Sequence, residues 1–242
     1  MRTGRATTEE VILVPLISSG LSGGVRLPFT DRTEAGRLLG ERLVPLRLTR
    51  PLVLALPRGG VPVGFEVAGR LAAQGEKVEL EVLVTRKIGY PYQPELGVGA
   101  IAEGGEPVFD HSLLKRLDLT TADLADTVLR ERAELRRRVE AYRGRRSLPS
   151  VDDRAVVLVD DGLATGGTAR AALRAVRAMG PGRLVLAVPV GAARTVRAME
   201  DEADEVVVLA TPRSFQAVGQ CYDHFEQLTD EDVMSWLERM RS

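Results

Sequence analysis

Short apolar runs alternate with amphipathic stretches along most of the chain. Leu52 to Leu56, Val78 to Thr85, Val156 to Val159, Leu184 to Val188 and Val206 to Leu209 read as strands. Helical spacing predicts a helix opening at Thr30 or Asp31, with Ala35, Leu38, Leu39, Leu43 and Leu46 on one face. Further helices are expected through Val67 to Ala73, over Thr121 to Tyr142 with Leu124, Val128, Leu135, Val139 and Tyr142 inward, at Thr168 to Met179 and at Ala192 to Glu200. Strands separated by helices imply right-handed crossovers. The expected fold is α/β: a twisted, mainly parallel sheet of about five strands with helices on both sides.

Two segments depart from the alternation. Residues 1–27 lack clear periodicity, contain SSGLSGG, and read as a flexible arm able to pair with the body through VILVPLI; residues 28–242 then form one domain. Arg86 to Gly105, RKIGYPYQPELGVGAIAEGG, is rich in Gly and Pro and reads as a long loop or hairpin of the kind that is usually functional or disordered.

Composition narrows the classes. Lys plus Arg total 33 against 34 Asp plus Glu, a formal net charge of -1, so nucleic-acid or membrane binding has no general electrostatic basis. The arginines between Arg130 and Arg146 alternate with Glu131, Glu134 and Glu140, which reads as a solvated helix face or a dimer surface. One cysteine, Cys221, and two histidines suit a reducing cytoplasm and leave no usual zinc pattern. Val11 to Ile17 is too short for a membrane span and lacks the basic flank of a signal peptide. No Walker A sequence occurs, and GVGAIA does not complete a dinucleotide fingerprint.

The chemistry concentrates in VVLVDDGLATGGTARAAL, Val156 to Leu173. An apolar strand ends in Asp160 and Asp161, and ligands of open parallel sheets sit at that end of the strands. Ala164, Thr165, Gly166, Gly167 and Thr168 follow, small residues whose backbone N–H groups can approach an anion at a helix start. A ligand with a phosphate beside hydroxyls reconciles the carboxylates with the anion cradle, and a sugar phosphate has both.

This run resembles the signature of the type I phosphoribosyltransferases. The resemblance implies that the acid pair meets the ribose hydroxyls of 5-phosphoribosyl 1-diphosphate (PRPP), while residues 164–168 take its 5′-phosphate. PRGG, containing Arg58, Gly59 and Gly60, resembles the family's pyrophosphate loop; by itself it is equally a simple glycine turn. RKIGYP resembles the start of the mobile catalytic loop, which puts Arg86 and Lys87 beside the departing diphosphate. Mg²⁺ is the implied cofactor, held by Asp160 and Asp161 directly or through water. Homodimers are common in the family. PRSFQAVGQCYDHFEQLTDEDV also resembles the C-terminal stretch of uncharacterised predicted phosphoribosyltransferases.

Acceptor identity stays open. Enzymes that accept 6-oxo purines carry an acid where Ala164 stands, so those bases are disfavoured. Glu95 or Glu103 is the candidate general base, or else a solvated loop carboxylate. A hood subdomain is expected over Thr211 to Val233 with the N-terminal arm. Its Phe215, Tyr222 and Phe225 either stack on a flat acceptor or pack on the sheet. Asp223, Glu226, Asp230, Glu231 and Asp232 suggest a cationic acceptor such as an amino sugar, although Thr229 or Asp230 capping a final helix accounts for several of them. The alternatives to a transferase are a PRPP-sensing regulator and a phosphoribosyl hydrolase.

Overall fold

The computed structural model describes residues 25–75 and 77–241, so the arm expected over 1–27 lies outside the described residues except for 25–27. In chain order the strands are β1 (Leu52–Ala55), β2 (Glu79–Val82), β3 (Thr85–Tyr90), β4 (Gln93–Ala102), β5 (Val108–Phe109), β6 (Ala155–Val159), β7 (Arg183–Val190) and β8 (Glu205–Ala210). The α-helices are α1 (Arg32–Leu43), α2 (Gly60–Ala72), α3 (His111–Arg116), α4 (Ala125–Arg143), α5 (Gly167–Ala178), α6 (Ala193–Met199) and α7 (Asp230–Arg241).

Five strands form a parallel sheet in the order β2-β1-β6-β7-β8. Alternation along each strand divides its side chains between two cores. Val53 and Val157 face one core with Ala35, Leu39 and Val67 of α1 and α2. Leu54 and Leu158 face the other with Leu173, Val176 and Val196 of α5 and α6. Each such fully buried Val or Leu contributes about 1.5–3 kcal/mol of hydrophobic stabilisation. The sheet is therefore covered on both faces, as its nearly continuous apolar strands require.

The order of strands reverses between β1 and β6. The chain leaves β1 through α2 on one face and leaves β6 through α5 on the other. Their carboxyl ends consequently flank a crevice, the place where open α/β sheets bind ligands.

Two local expectations change, and one open alternative is decided. The helix after PRGG begins at Gly60 rather than near Val67. The strand expected over Val78 to Thr85 ends at Val82, and Thr85 opens a second sheet. That sheet, β3-β4-β5, is antiparallel and contains most of Arg86 to Gly105, so the Gly and Pro rich stretch is a paired hairpin. Buried Ile88, Val98 and Ile101 anchor it. Arg143, itself buried, ties its far end to the main sheet by pairing with Glu103 and donating to the Val82 carbonyl at 3.0 Å. On α4, Arg137 and Arg138 pair with Glu134 one turn away, consistent with a solvated face.

Candidate active site

The crevice is narrow because its walls nearly touch. The Leu56 N–H donates to the Val159 carbonyl at 2.8 Å, extending the β1–β6 ladder to the start of PRGG. A Cβ placed on Gly59 would lie 1.9 Å from Asp161 Oδ2, and one on Gly60 would lie 2.6 Å from the Val159 carbonyl oxygen. Only glycine lets this turn approach the acid pair so closely. PRGG and DD, about a hundred residues apart in sequence, are thus one site; the Pro57–Arg58 peptide is cis.

Asp160 and Asp161 follow β6 directly. The Asp161 N–H donates to Asp160 Oδ1 at 2.9 Å. Arg32 Nε donates to Asp161 Oδ2 at 2.9 Å. Burial, and then the neighbouring Asp161 charge, push the Asp160 carboxyl well above the usual aspartate value. Burial also raises Asp161, with Arg32 working in the opposite direction. Two carboxyls that resist ionisation together offer a hard-oxygen site to a divalent cation. Among the described residues no cluster of three or more His, Cys, Asp or Glu would cage a metal unaided. Mg²⁺ takes one or two carboxylates plus substrate phosphate, and the acid pair fits that demand.

The loop of residues 164–168 follows the acids. Gly166 is in the left-handed region, φ 77°, and α5 begins at Gly167, where an added Cβ would meet open space. Thr195 Oγ1 donates to the Ala164 carbonyl at 2.7 Å, bracing the loop from α6. A cleft of about 490 Å³ runs from Thr165, Gly167 and Thr168 to Lys87 and Glu95 on the hairpin.

The hairpin separates the two cations that were expected together. Neighbours on a strand point to opposite faces. Lys87 lines the cleft, with Nζ donating to the Glu95 carbonyl at 3.0 Å and lying 3.5 Å from its carboxylate. Arg86 turns to α4, where Nε donates to Glu131 at 2.7 Å. The structure does not bring Arg86 to the acid pair. Of the two candidate bases, Glu95 is exposed at the cleft, whereas Glu103 is held by Arg143. Arg58 reaches from PRGG toward Asp230, 3.8 Å away.

On the other side of the acids, Phe29 and Tyr222 form a parallel bridge. Tyr222 is buried, and its hydroxyl donates to the Asp161 carbonyl at 2.6 Å; burial raises its pKa, so it remains a donor. Phe225 stacks on Tyr222 with centroids 5.1 Å apart, and the Arg32 guanidinium lies 3.8 Å over its ring. Phe215 packs on the core. Two acids of the C-terminal stretch serve the fold: Asp232 and Thr229 cap each other's backbone N–H at the start of α7, and Asp230 accepts from Tyr142 at 2.5 Å.

Arg32 escaped the sequence reading. A cation in the first turn of a helix opposes the macrodipole, and that was its one local signal. Asp31, the residue before it, caps α1 by accepting from Glu34 N–H at 2.8 Å.

The model of the phosphoribosyl transferase domain family matches residues 33–225. "Putative phosphoribosyl transferase Rv0571c" of Mycobacterium tuberculosis (strain ATCC 25618 / H37Rv) is 46% identical over 211 residues, which cover 87% of this chain and 46% of that protein. A counterpart from strain CDC 1551 has the same figures. The chain therefore spans about half the length of the curated relatives it matches. The crystal structure of TT1426 from Thermus thermophilus superposes with a TM-score of 0.73 at 45% identity, covering 88% of this chain and 99% of that one.

Proposed function

Because the chain belongs to the phosphoribosyl transferase domain family, we propose that it is a Mg²⁺-dependent enzyme that moves 5-phosphoribose from PRPP to a small acceptor and releases diphosphate. The observation that carries this reading is the fit of Gly59 against Asp161, with the loop of residues 164–168 opening α5 alongside.

In this reading Asp160 and Asp161 accept hydrogen bonds from the ribose hydroxyls. Backbone N–H groups of residues 164–168, with the Thr165 and Thr168 hydroxyls, hold the 5′-phosphate. PRGG amides and Arg58 receive the diphosphate, which makes Asp230 a competitor that Arg58 leaves when the donor arrives. Lys87 approaches from the hairpin. Asp160 and Asp161 would hold Mg²⁺, whose charge would offset that of the departing diphosphate. The C1′–O bond breaks with its electron pair going to diphosphate, an acceptor lone pair forms the new bond, and the acceptor's proton passes to Glu95 or water. Closure of the hairpin over the cleft excludes water that would hydrolyse the donor.

Phe225, the most exposed of the three aromatic residues, is the acceptor-side ring, with residues 25–30 and Thr211 to Val233 as the hood. Action in the cytoplasm as a homodimer belongs to the same proposal and rests on family resemblance and a lone buried cysteine. No described helix is long and apolar enough to cross a membrane. The pairing of Arg86 with Glu131 favours a PRPP-binding regulator as the second reading, since it removes one cation from the chemistry.

The test is diphosphate release from PRPP and Mg²⁺ across nucleobases, orotate, nicotinate and amino sugars, with the product mass determined. Acceptor-dependent release supports transfer; release with water alone indicates a hydrolase; tight binding without release indicates the regulator.

A further inference from the structure

Adjoining the first cleft, and sharing Asp110, Thr165 and Arg170 with it, lies a larger cleft of about 920 Å³. Its volume is in the range of small-molecule sites. Lys115 and Arg116 reach it from α3, Arg170 from α5 and Arg194 from α6. Its one acid is Asp110, and that carboxylate is occupied in accepting from the Leu113 N–H at 2.9 Å.

These cations are poorly compensated. Among the described residues, Lys115, Arg116 and Arg194 enter no salt bridge, whereas Arg174 and Arg177 on the neighbouring turns of α5 are each held by an acid. Arg170 Nε is buried without a hydrogen-bond partner. Its nearest acid, Glu202 at 3.3 Å, already accepts two hydrogen bonds from Arg174. Three unpaired cations, with Arg170 sharing Glu202 with Arg174, outnumber the single lining carboxylate of Asp110, so the concave cleft has a positive potential that attracts anions.

We propose that this cleft binds a small, multiply phosphorylated anion distinct from the sugar-phosphate donor. Arginine guanidinium groups and a lysine suit phosphate oxygens, while the Thr165 and Thr195 hydroxyls add neutral donors. The site also has a mechanical link to its neighbour. Thr165 lines both clefts, and Thr195 holds the Ala164 carbonyl, so an anion drawn against Arg194 acts directly on the phosphate loop.

Inorganic tripolyphosphate, without Mg²⁺ and at low ionic strength, is the probe, titrated calorimetrically into the full chain. The double variant R116Q/R194Q changes neither the acid pair nor residues 164–168. It is expected to weaken tripolyphosphate binding by about tenfold or more, with each single variant intermediate and thermal melting unchanged. A control that removes two exposed arginines from another face, R136Q/R145Q, is expected to bind as the unmodified chain does. Equal affinity in R116Q/R194Q, equal loss in both double variants, or no binding by the unmodified chain would each overturn the proposal. No arm uses PRPP, so failure of the donor reading leaves the result interpretable.

Discussion

The crevice between β1 and β6 and the β3–β4 hairpin both carry residues that resemble family motifs, yet they answer to different constraints. In the crevice, two loops are held by buried parallel strands, and Gly59 sits where any side chain would collide with Asp161. Position there follows from the backbone. In the hairpin, position follows from parity: Arg86 and Lys87 are adjacent, so pairing with β4 sends one to α4 and the other to the cleft. A motif on a tight turn keeps its residues together, whereas a motif on a strand splits them.

The largest effect that would break this contrast is at Gly59. Gly59→Ala places a methyl group against Asp161 and is expected to lower turnover about 100-fold, because displacement of a reacting site by an ångström costs that much. Melting temperature should fall with it. Gly167→Ala, whose Cβ meets open space, should leave melting unchanged and weaken only phosphate binding. Equal melting of the two variants would mean that the crevice is looser than described.

Glu103 sharpens the hairpin side. Glu103→Gln leaves the buried Arg143 without its carboxylate and is expected to cost about 3 kcal/mol of stability by denaturant titration. The pH profile of turnover should be unchanged, since Glu103 does not face the cleft. Glu95→Gln is the converse, altering that profile with no loss of stability.

Parity itself is tested by the two cations. Lys87→Ala should reduce turnover about tenfold and leave melting alone. Arg86→Ala should cost about 1 kcal/mol of stability through its half-buried pair with Glu131, with a smaller change in turnover. A reversed pattern would show that the hairpin flips when donor binds.

The smallest effect is the pH dependence of donor affinity. In the free chain the acid pair holds its proton above the ordinary aspartate value of 3.8, and the complex requires carboxylates. Affinity should therefore rise with pH through that raised pKa and level off above it, the proton being released on binding. The ligand-free chain follows the opposite course. The stability contributed by the raised pKa is present below the ordinary value and is lost as pH rises through the raised one. Asp160→Asn should flatten both curves, read by calorimetry and by melting across pH.

How much of this was legible in sequence varies with how local the determinant is. The apolar runs announced β1, β6, β7 and β8, and the order strand, acid pair, small-residue loop, helix announced the crevice. For β3 and β4 the sequence left loop and hairpin both open, because Gly and Pro report turn preference while pairing across the hairpin is set by Ile88, Val98 and Ile101 in the core. Glu103 looked like a free loop acid because its partner, Arg143, lies 40 residues away. Arg32 and the basic cleft were out of reach for the same reason: Lys115, Arg116, Arg170 and Arg194 have no common spacing and meet only once α3, α5 and α6 are packed.

The most direct test is calorimetric titration of PRPP with Mg²⁺ into the unmodified chain and into D160N/D161N. The account predicts Mg²⁺-dependent binding with one donor per chain, weakened at least about tenfold in the double variant at a temperature where both proteins remain folded. Unchanged affinity in D160N/D161N would contradict the assignment of the acid pair to the ribose.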